Sequence, residues 1–298
     1  MHAADEKRDP DRDILRILAC QIVIPKTPNT SARDAHVDAL CTRLVECAHP
    51  SAFDLIVLPE LTAIEYSDAV FANIDELAEP IDGPSFQRFA QLARQTQAHV
   101  IFGFARKTSD KPMICQAVIS PNGELVGYYD KLHLAQFGAS AEAAAFQAGN
   151  HIFTFDVKGL KIAPMICYDI RFASLAARMA DDGVDIVLQC SAYARDLSFH
   201  SWHPFVVTRA MENGLAWLGL NRAGEDWGGS IWCPGFADSA LPETVFGLDE
   251  EFLDISLPLD FRNSNAAKIP ILEDRRNDYA NLAHHGKNSD PPDNGTGS

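Results

Sequence analysis

Three apolar runs in this chain each end in a side chain able to do chemistry. Leu55-Ile56-Val57-Leu58-Pro59 leads to Glu60, Gly127-Tyr128-Tyr129-Asp130 to Lys131, and Ile162-Ala163-Pro164-Met165-Ile166 to Cys167. A carboxylate, an ammonium and a thiol are the side-chain types of proton transfer, anion stabilisation and nucleophilic attack. Strand ends are where α/β folds place their sites. Taken one at a time, each residue also has a plain structural explanation. Glu60 after a proline suits a solvated turn, Lys131 a surface charge and Cys167 a buried thiol.

The elements that would position these residues can be read from the hydrophobic pattern. Strand-length apolar runs recur at residues 14–24, 55–58, 99–104, 114–120, 125–129, 151–157, 160–167, 184–189 and 216–220. Helical windows fall at 32–48, 86–97, 172–182 and 204–213. Asn122-Gly123 between two of the runs predicts a hairpin turn. The order argues for one α/β domain over residues 14–282, built on a mixed sheet or two packed sheets. Residues 1–13 are charge-rich, and 283–298 form a tail rich in Pro, Gly, Asn and Asp; both are expected to be disordered.

Composition narrows the function. Of 298 residues, 47% are hydrophobic and 22% charged, as in ordinary globular proteins, and the formal charge is −16. Such an acidic balance argues against nucleic acid as a partner, because phosphate backbones are met by clustered Lys and Arg. No apolar run reaches the roughly 18 residues of a membrane span. The seven cysteines contain no Cys-x-x-Cys pair, which fits neither a disulfide framework nor a zinc ribbon. Reduced thiols within apolar runs, and an N-terminus without a long hydrophobic segment, lead to a cytoplasmic expectation.

With their flanks, the three reactive residues form a pattern. Leu58-Pro59-Glu60, then Gly127 to Leu134 (Gly-Tyr-Tyr-Asp-Lys-Leu-His-Leu), then Ile166 to Phe172 (Ile-Cys-Tyr-Asp-Ile-Arg-Phe) resemble the nitrilase, or carbon-nitrogen hydrolase, superfamily in its amidase-like branch. The resemblance extends through Arg209 to Asn213, Asn221 to Gly224 and Ile269 to Arg276, and so covers roughly residues 14–280. It implies an αββα sandwich, a homodimer or higher homo-oligomer, and hydrolysis of a small amide without a cofactor or metal. A thiol of ordinary pKa, about 8.5, is a weak nucleophile at neutral pH and needs a base. The resemblance makes Cys167 the nucleophile and Glu60 that base. It assigns the oxyanion donors to the Lys131 ammonium and the Tyr168 backbone N–H, and puts a second carboxylate, Glu142, in the site. An exposed helix-forming glutamate among alanines is the alternative for Glu142.

The pattern is broken in two places. Arg171-Phe172 is followed by Ala173-Ser174 where the family usually has Pro-Glu, and Ser191 to Arg195 replaces the usual segment after the strand ending in Cys190. Substrate contacts are therefore sought among Tyr168, Arg171, Tyr193, Trp202 and Trp227. For Arg171 a structural ion pair outweighs a substrate carboxylate, and the aromatics suit core packing as well as a pocket wall. His200 and His203 have a helix-face spacing but no third ligand nearby, so no metal is assigned. Short linear ω-amides of carboxylic acids are the first substrate expectation. A nitrile or N-carbamoyl amide hydrolase with the same residues, or a catalytically idle binding member of the family, are the alternatives.

Overall fold

The computed structural model describes residues 13–282 apart from 139, 237–240 and 277. The ends expected to be disordered lie outside the described residues, but for Asp13. Strands β1 (Ile14–Gln21), β2 (Leu55–Val57), β3 (His99–Arg106), β4 (Met113–Ile119) and β5 (Leu125–Asp130) come from the first half of the chain. The second half contributes β6 (Phe155–Val157), β7 (Leu160–Ile166), β8 (Ile186–Cys190), β9 (Ala216–Leu220), β10 (Ile231–Cys233), β11 (Thr244–Val245) and β12 (Glu251–Pro258).

Two six-stranded sheets result, in the orders β12-β1-β2-β3-β4-β5 and β11-β10-β9-β8-β7-β6. Each has three parallel strands at its centre, β1-β2-β3 in one and β7-β8-β9 in the other, with antiparallel strands outside them. This is the αββα sandwich of a single domain. The central strands are covered on both faces, which is why they read as unbroken apolar runs. On the inner faces Leu15, Ile17, Leu55, Val57 and Ile101 meet Ile162, Ile186, Leu188, Ala216 and Leu218. Alternate residues such as Leu18, Ile56, Val100 and Phe102 point outward to helices Thr30–Cys47 and Pro84–Thr96, through Val37, Leu40, Leu44, Phe89 and Leu92. Burying each such aliphatic side chain contributes about 1.5–3 kcal/mol.

The expected hairpin is present between β4 and β5, with Gly123 at φ 77°. Three strands are not anticipated by the apolar runs: β10, β11 and β12. The last pairs with β1 along all eight residues. It escapes a search for continuous apolar runs because it is an edge strand in which Asp254 and Ser256 alternate with Ile255 and Leu257. Conversely, only residues 155–157 of the expected 151–157 run are strand.

Candidate active site

Glu60 follows β2 at the C-terminal end of the parallel strands. The chain after it turns sharply, with Leu61 at φ 47°, and packs against β3 at Gly103. A Cβ at Gly103 would lie 2.4 Å from the Leu61 nitrogen and 2.6 Å from the Pro59 oxygen, so only glycine admits this approach. The turn is also held by Arg222, whose Nη2 donates to the carbonyls of Glu60 (3.0 Å), Leu61 (2.9 Å) and Ile64 (2.9 Å). Burial among these neutral acceptors pushes the Arg222 guanidinium down to about 10.

Lys131 comes directly after β5, whose last residue, Asp130, is clamped by Arg106 at 2.6 and 3.0 Å. Its ammonium lies between two carboxylates, donating to Glu60 Oε1 at 2.7 Å and Glu142 Oε1 at 2.6 Å. Glu142 opens the short helix Glu142–Ala145 and accepts two further bonds, from the Tyr66 hydroxyl and the Ala135 N–H, both at 2.7 Å. The second oxygen of Glu60 accepts the Ala192 N–H at 2.7 Å. Glu60, Lys131 and Glu142 are each 0% exposed, so Glu142 is not the exposed helical glutamate of the alternative reading. Buried charges are tolerated only when paired and hydrogen-bonded, and here every carboxylate oxygen has a donor.

Electrostatics follow from this packing. Burial by itself would lower Lys131, but the charges of Glu142 and then Glu60 override it and hold the ammonium well above its ordinary range. Burial raises Glu142, with Lys131 opposing and Glu60 adding to the rise. Burial raises the Cys167 thiol well above the usual thiol range, the Glu60 charge raises it further, and Lys131 pulls the other way. The resting nucleophile candidate is therefore a neutral thiol that requires a base.

Cys167 begins a 3-10 segment, Cys167–Arg171, immediately after β7. Its φ of 43° is in the left-handed region, a conformation that costs a non-glycine residue of order 1–3 kcal/mol and recurs at functional sites. The bend is fastened by Gln189, which donates to the Cys167 carbonyl at 3.1 Å. At 8% exposure, Cys167 is the one member of the group that reaches the surface. The Tyr168 N–H lies in the first turn of the segment, where N–H groups lack intrahelical acceptors.

Arg171, at the end of the same segment, makes no ion pair among the described residues. This corrects the expectation of a structural salt bridge. Its Nη2 donates to the Tyr193 hydroxyl at 2.7 Å, and its Nε is buried without a partner. Four rings surround the guanidinium: Phe137 at 5.1 Å, Phe205 at 5.3 Å, and Tyr168 and Tyr193 at 5.9 Å. Trp202 corrects another expectation. It is 0% exposed, stacks behind Tyr193 at 5.1 Å and donates Nε1–H to Gln189 Oε1 at 3.1 Å. It braces Tyr193 and the glutamine that holds Cys167, and offers a substrate no surface. Trp227 packs instead near Tyr66 and Arg222. His200 and His203 point to separate carbonyls, of Leu197 and Gly229.

Reasoning from sequence missed Arg222, Tyr66 and the Ala192 N–H. Arg222 and Tyr66 carry no local signal, since their partners lie about 160 and 76 residues away in sequence. A backbone donor such as Ala192 is invisible to residue type.

Comparison with known proteins identifies the family and the fold. The carbon-nitrogen hydrolase family model matches residues 17–245. A probable nitrilase of Schizosaccharomyces pombe is 28% identical, over 78% of this chain and 84% of its own. An omega-amidase of Xenopus tropicalis is 26% identical, over 83% of this chain and 91% of its own. Among solved structures, a CN-hydrolase superfamily protein from Xanthomonas campestris superposes with a TM-score of 0.74 at 22% identity, covering 88% and 97% of the two chains.

Proposed function

The chain belongs to the carbon-nitrogen hydrolase family, and we propose that within it the protein is an amidase that hydrolyses small linear amides through a thioester on Cys167. The observation that carries this reading is the bridging of Glu60 and Glu142 by Lys131, with all three side chains 0% exposed and Cys167 8% exposed. Glu60 takes the proton of the Cys167 thiol as sulfur attacks the amide carbon. The carbonyl oxygen becomes an oxyanion held by the Lys131 ammonium and the Tyr168 N–H. Glu60 returns the proton to the amide nitrogen, the carbon–nitrogen bond breaks, and ammonia leaves an acyl-cysteine. Glu60 then accepts a proton from water, which attacks the thioester; the acid departs and the thiol is restored. One water is consumed for each amide. Glu142 fixes the Lys131 ammonium and keeps it charged.

Arg171 extends the reading to substrate class. A half-buried guanidinium that pairs with no carboxylate among the described residues, four residues after the nucleophile, is suited to a carboxylate at the far end of a short amide. The preferred substrates are then ω-amides of dicarboxylic acids, in keeping with an omega-amidase among the relatives. Ammonia release from ω-amidated dicarboxylates, neutral aliphatic amides, N-carbamoyl amino acids and nitriles tests this. The highest kcat/KM is expected for the ω-amidated acids. Turnover of nitriles alone, or of nothing, overturns the proposal.

A further inference from the structure

The two donors assigned to the oxyanion come from different sheets. Lys131 follows β5, Tyr168 follows β7, and the spacing between them depends on what ties those strand ends together. Asp169 does so. Its Oδ2 accepts the Tyr129 hydroxyl at 2.8 Å and the Ile166 N–H at 3.4 Å, and its Oδ1 accepts the His133 backbone N–H at 2.9 Å and the His133 ring Nδ1–H at 2.7 Å. Tyr129 and His133 stand two residues before and two residues after Lys131. Asp169 stands one residue after Tyr168 and two after Cys167. One carboxylate thus grips both flanks of the lysine from the turn that presents the thiol.

The grip is built to be rigid. Asp169 and Tyr129 are both 0% exposed, so no bulk water competes for the bond between them. Burial, and then the Asp169 charge, holds the Tyr129 phenol well above its ordinary range, so its hydroxyl remains a donor. His133 is fixed from its other face by stacking on Phe172, with ring centres 3.6 Å apart. No Lys or Arg pairs with Asp169 among the described residues. The donors it takes are those of the lysine's neighbours and of its own strand end.

We propose that Asp169, held by Tyr129 and His133, is a positioning residue that sets the distance between the Lys131 ammonium and the Tyr168 N–H, and so sets how tightly the oxyanion is bound. The inference rests on the reading of Cys167 and these two donors given above. It goes beyond that reading in assigning the geometry of the donor pair to a carboxylate that touches neither substrate nor thiol. Removing a single oxyanion donor costs about 10²–10³ in rate, and a misplacement of about 1 Å costs about 10²-fold, so loosening the tie is expected to be visible.

The test separates steps that form an oxyanion from one that does not. A short aliphatic aldehyde adds reversibly to the Cys167 sulfur, and its oxygen occupies the oxyanion position. Iodoacetamide alkylates the same sulfur at a saturated carbon and needs no oxyanion donor. In Asp169→Asn the amide nitrogen can face the Tyr129 hydroxyl, which rotates to accept, while the oxygen still serves His133. The expected results are a loss in kcat of about 10- to 100-fold for Asp169→Asn and about 10-fold for Tyr129→Phe, with aldehyde Ki rising by a similar factor. The alkylation rate of Cys167 should stay within about twofold of wild type. Tyr129→Phe removes one buried oxygen and little else, and carries the test if Asp169→Asn fails to fold. Unchanged kcat, an unchanged aldehyde Ki beside a lowered kcat, or alkylation falling in step with kcat each overturns the proposal. Wild-type protein that turns over no amide and takes up no aldehyde on Cys167 overturns the reading of the whole site, and this inference with it.

Discussion

The Glu60–Lys131–Glu142 cluster and the collar around Arg171 both adjoin Cys167, and they treat charge in opposite ways. In the first, three charged side chains are sealed from water and every carboxylate oxygen meets a donor. In the second, a half-buried guanidinium has, among the described residues, one side-chain hydrogen bond, four aromatic neighbours and an unpartnered Nε. A cluster already satisfied cannot gain much from a ligand, and on the proposed reading it prearranges proton transfer and anion stabilisation. A cation paired with no anion among the described residues gains a good deal from one, and on the same reading it serves recognition. The proposal thus gives chemistry to one region and choice of substrate to the other.

The largest effect expected on this division is from Cys167→Ala, which should abolish turnover and leave the fold intact; measurable acid production by that variant would break it. Glu60→Gln and Lys131→Ala should each lower kcat at least about 10²-fold, as is typical of losing a general base or an oxyanion donor. Glu60→Gln makes a second, opposite demand. The Glu60 charge helps raise the Cys167 thiol, so removing it should move the pH midpoint of Cys167 alkylation downward while turnover falls. A midpoint that stays or rises would mean that Glu60 does not act on the thiol.

Arg171→Met sharpens the comparison from the other side. It should raise KM for an ω-amidated dicarboxylate about 10-fold or more and leave a neutral aliphatic amide nearly unaffected, a split expected of uniform binding. Equal losses on both substrates would make Arg171 part of the chemistry. The smallest expected effect is from Glu142→Gln, about 10-fold in kcat, because Lys131 keeps Glu60 while one buried donor near residue 142 loses its acceptor. Full wild-type activity there would remove Glu142 from the site.

The strands were legible wherever they are covered on both faces, as at Leu55 to Val57, Val100 to Phe104 and Ile162 to Ile166, while the two-sheet sandwich came from the resemblance. Edge strand β12 was not, since its polar alternation looks like ordinary surface. In the candidate site, residue types at strand ends pointed to Glu60, Lys131 and Cys167, but partners could not be seen. Glu142 sits among alanines and is buried only because the chain folds back so that the Gly149 N–H meets the Lys131 carbonyl at 2.8 Å. Trp202 has the right type and the wrong depth. Asp169 lay in plain view two residues from the cysteine, and the positioning role proposed for it depends on Tyr129 and His133, about 40 residues earlier in the chain.

The covalent route is tested most directly by intact-protein mass spectrometry on a quenched reaction with a slowly hydrolysed amide, with the adduct then located by peptide mapping. One acyl group on Cys167, present with wild-type protein and absent from Cys167→Ala, is the result expected, and added hydroxylamine should divert the same acyl group to hydroxamate. Turnover with neither an adduct nor hydroxamate, or an adduct on Cys190 or Cys233, would contradict it.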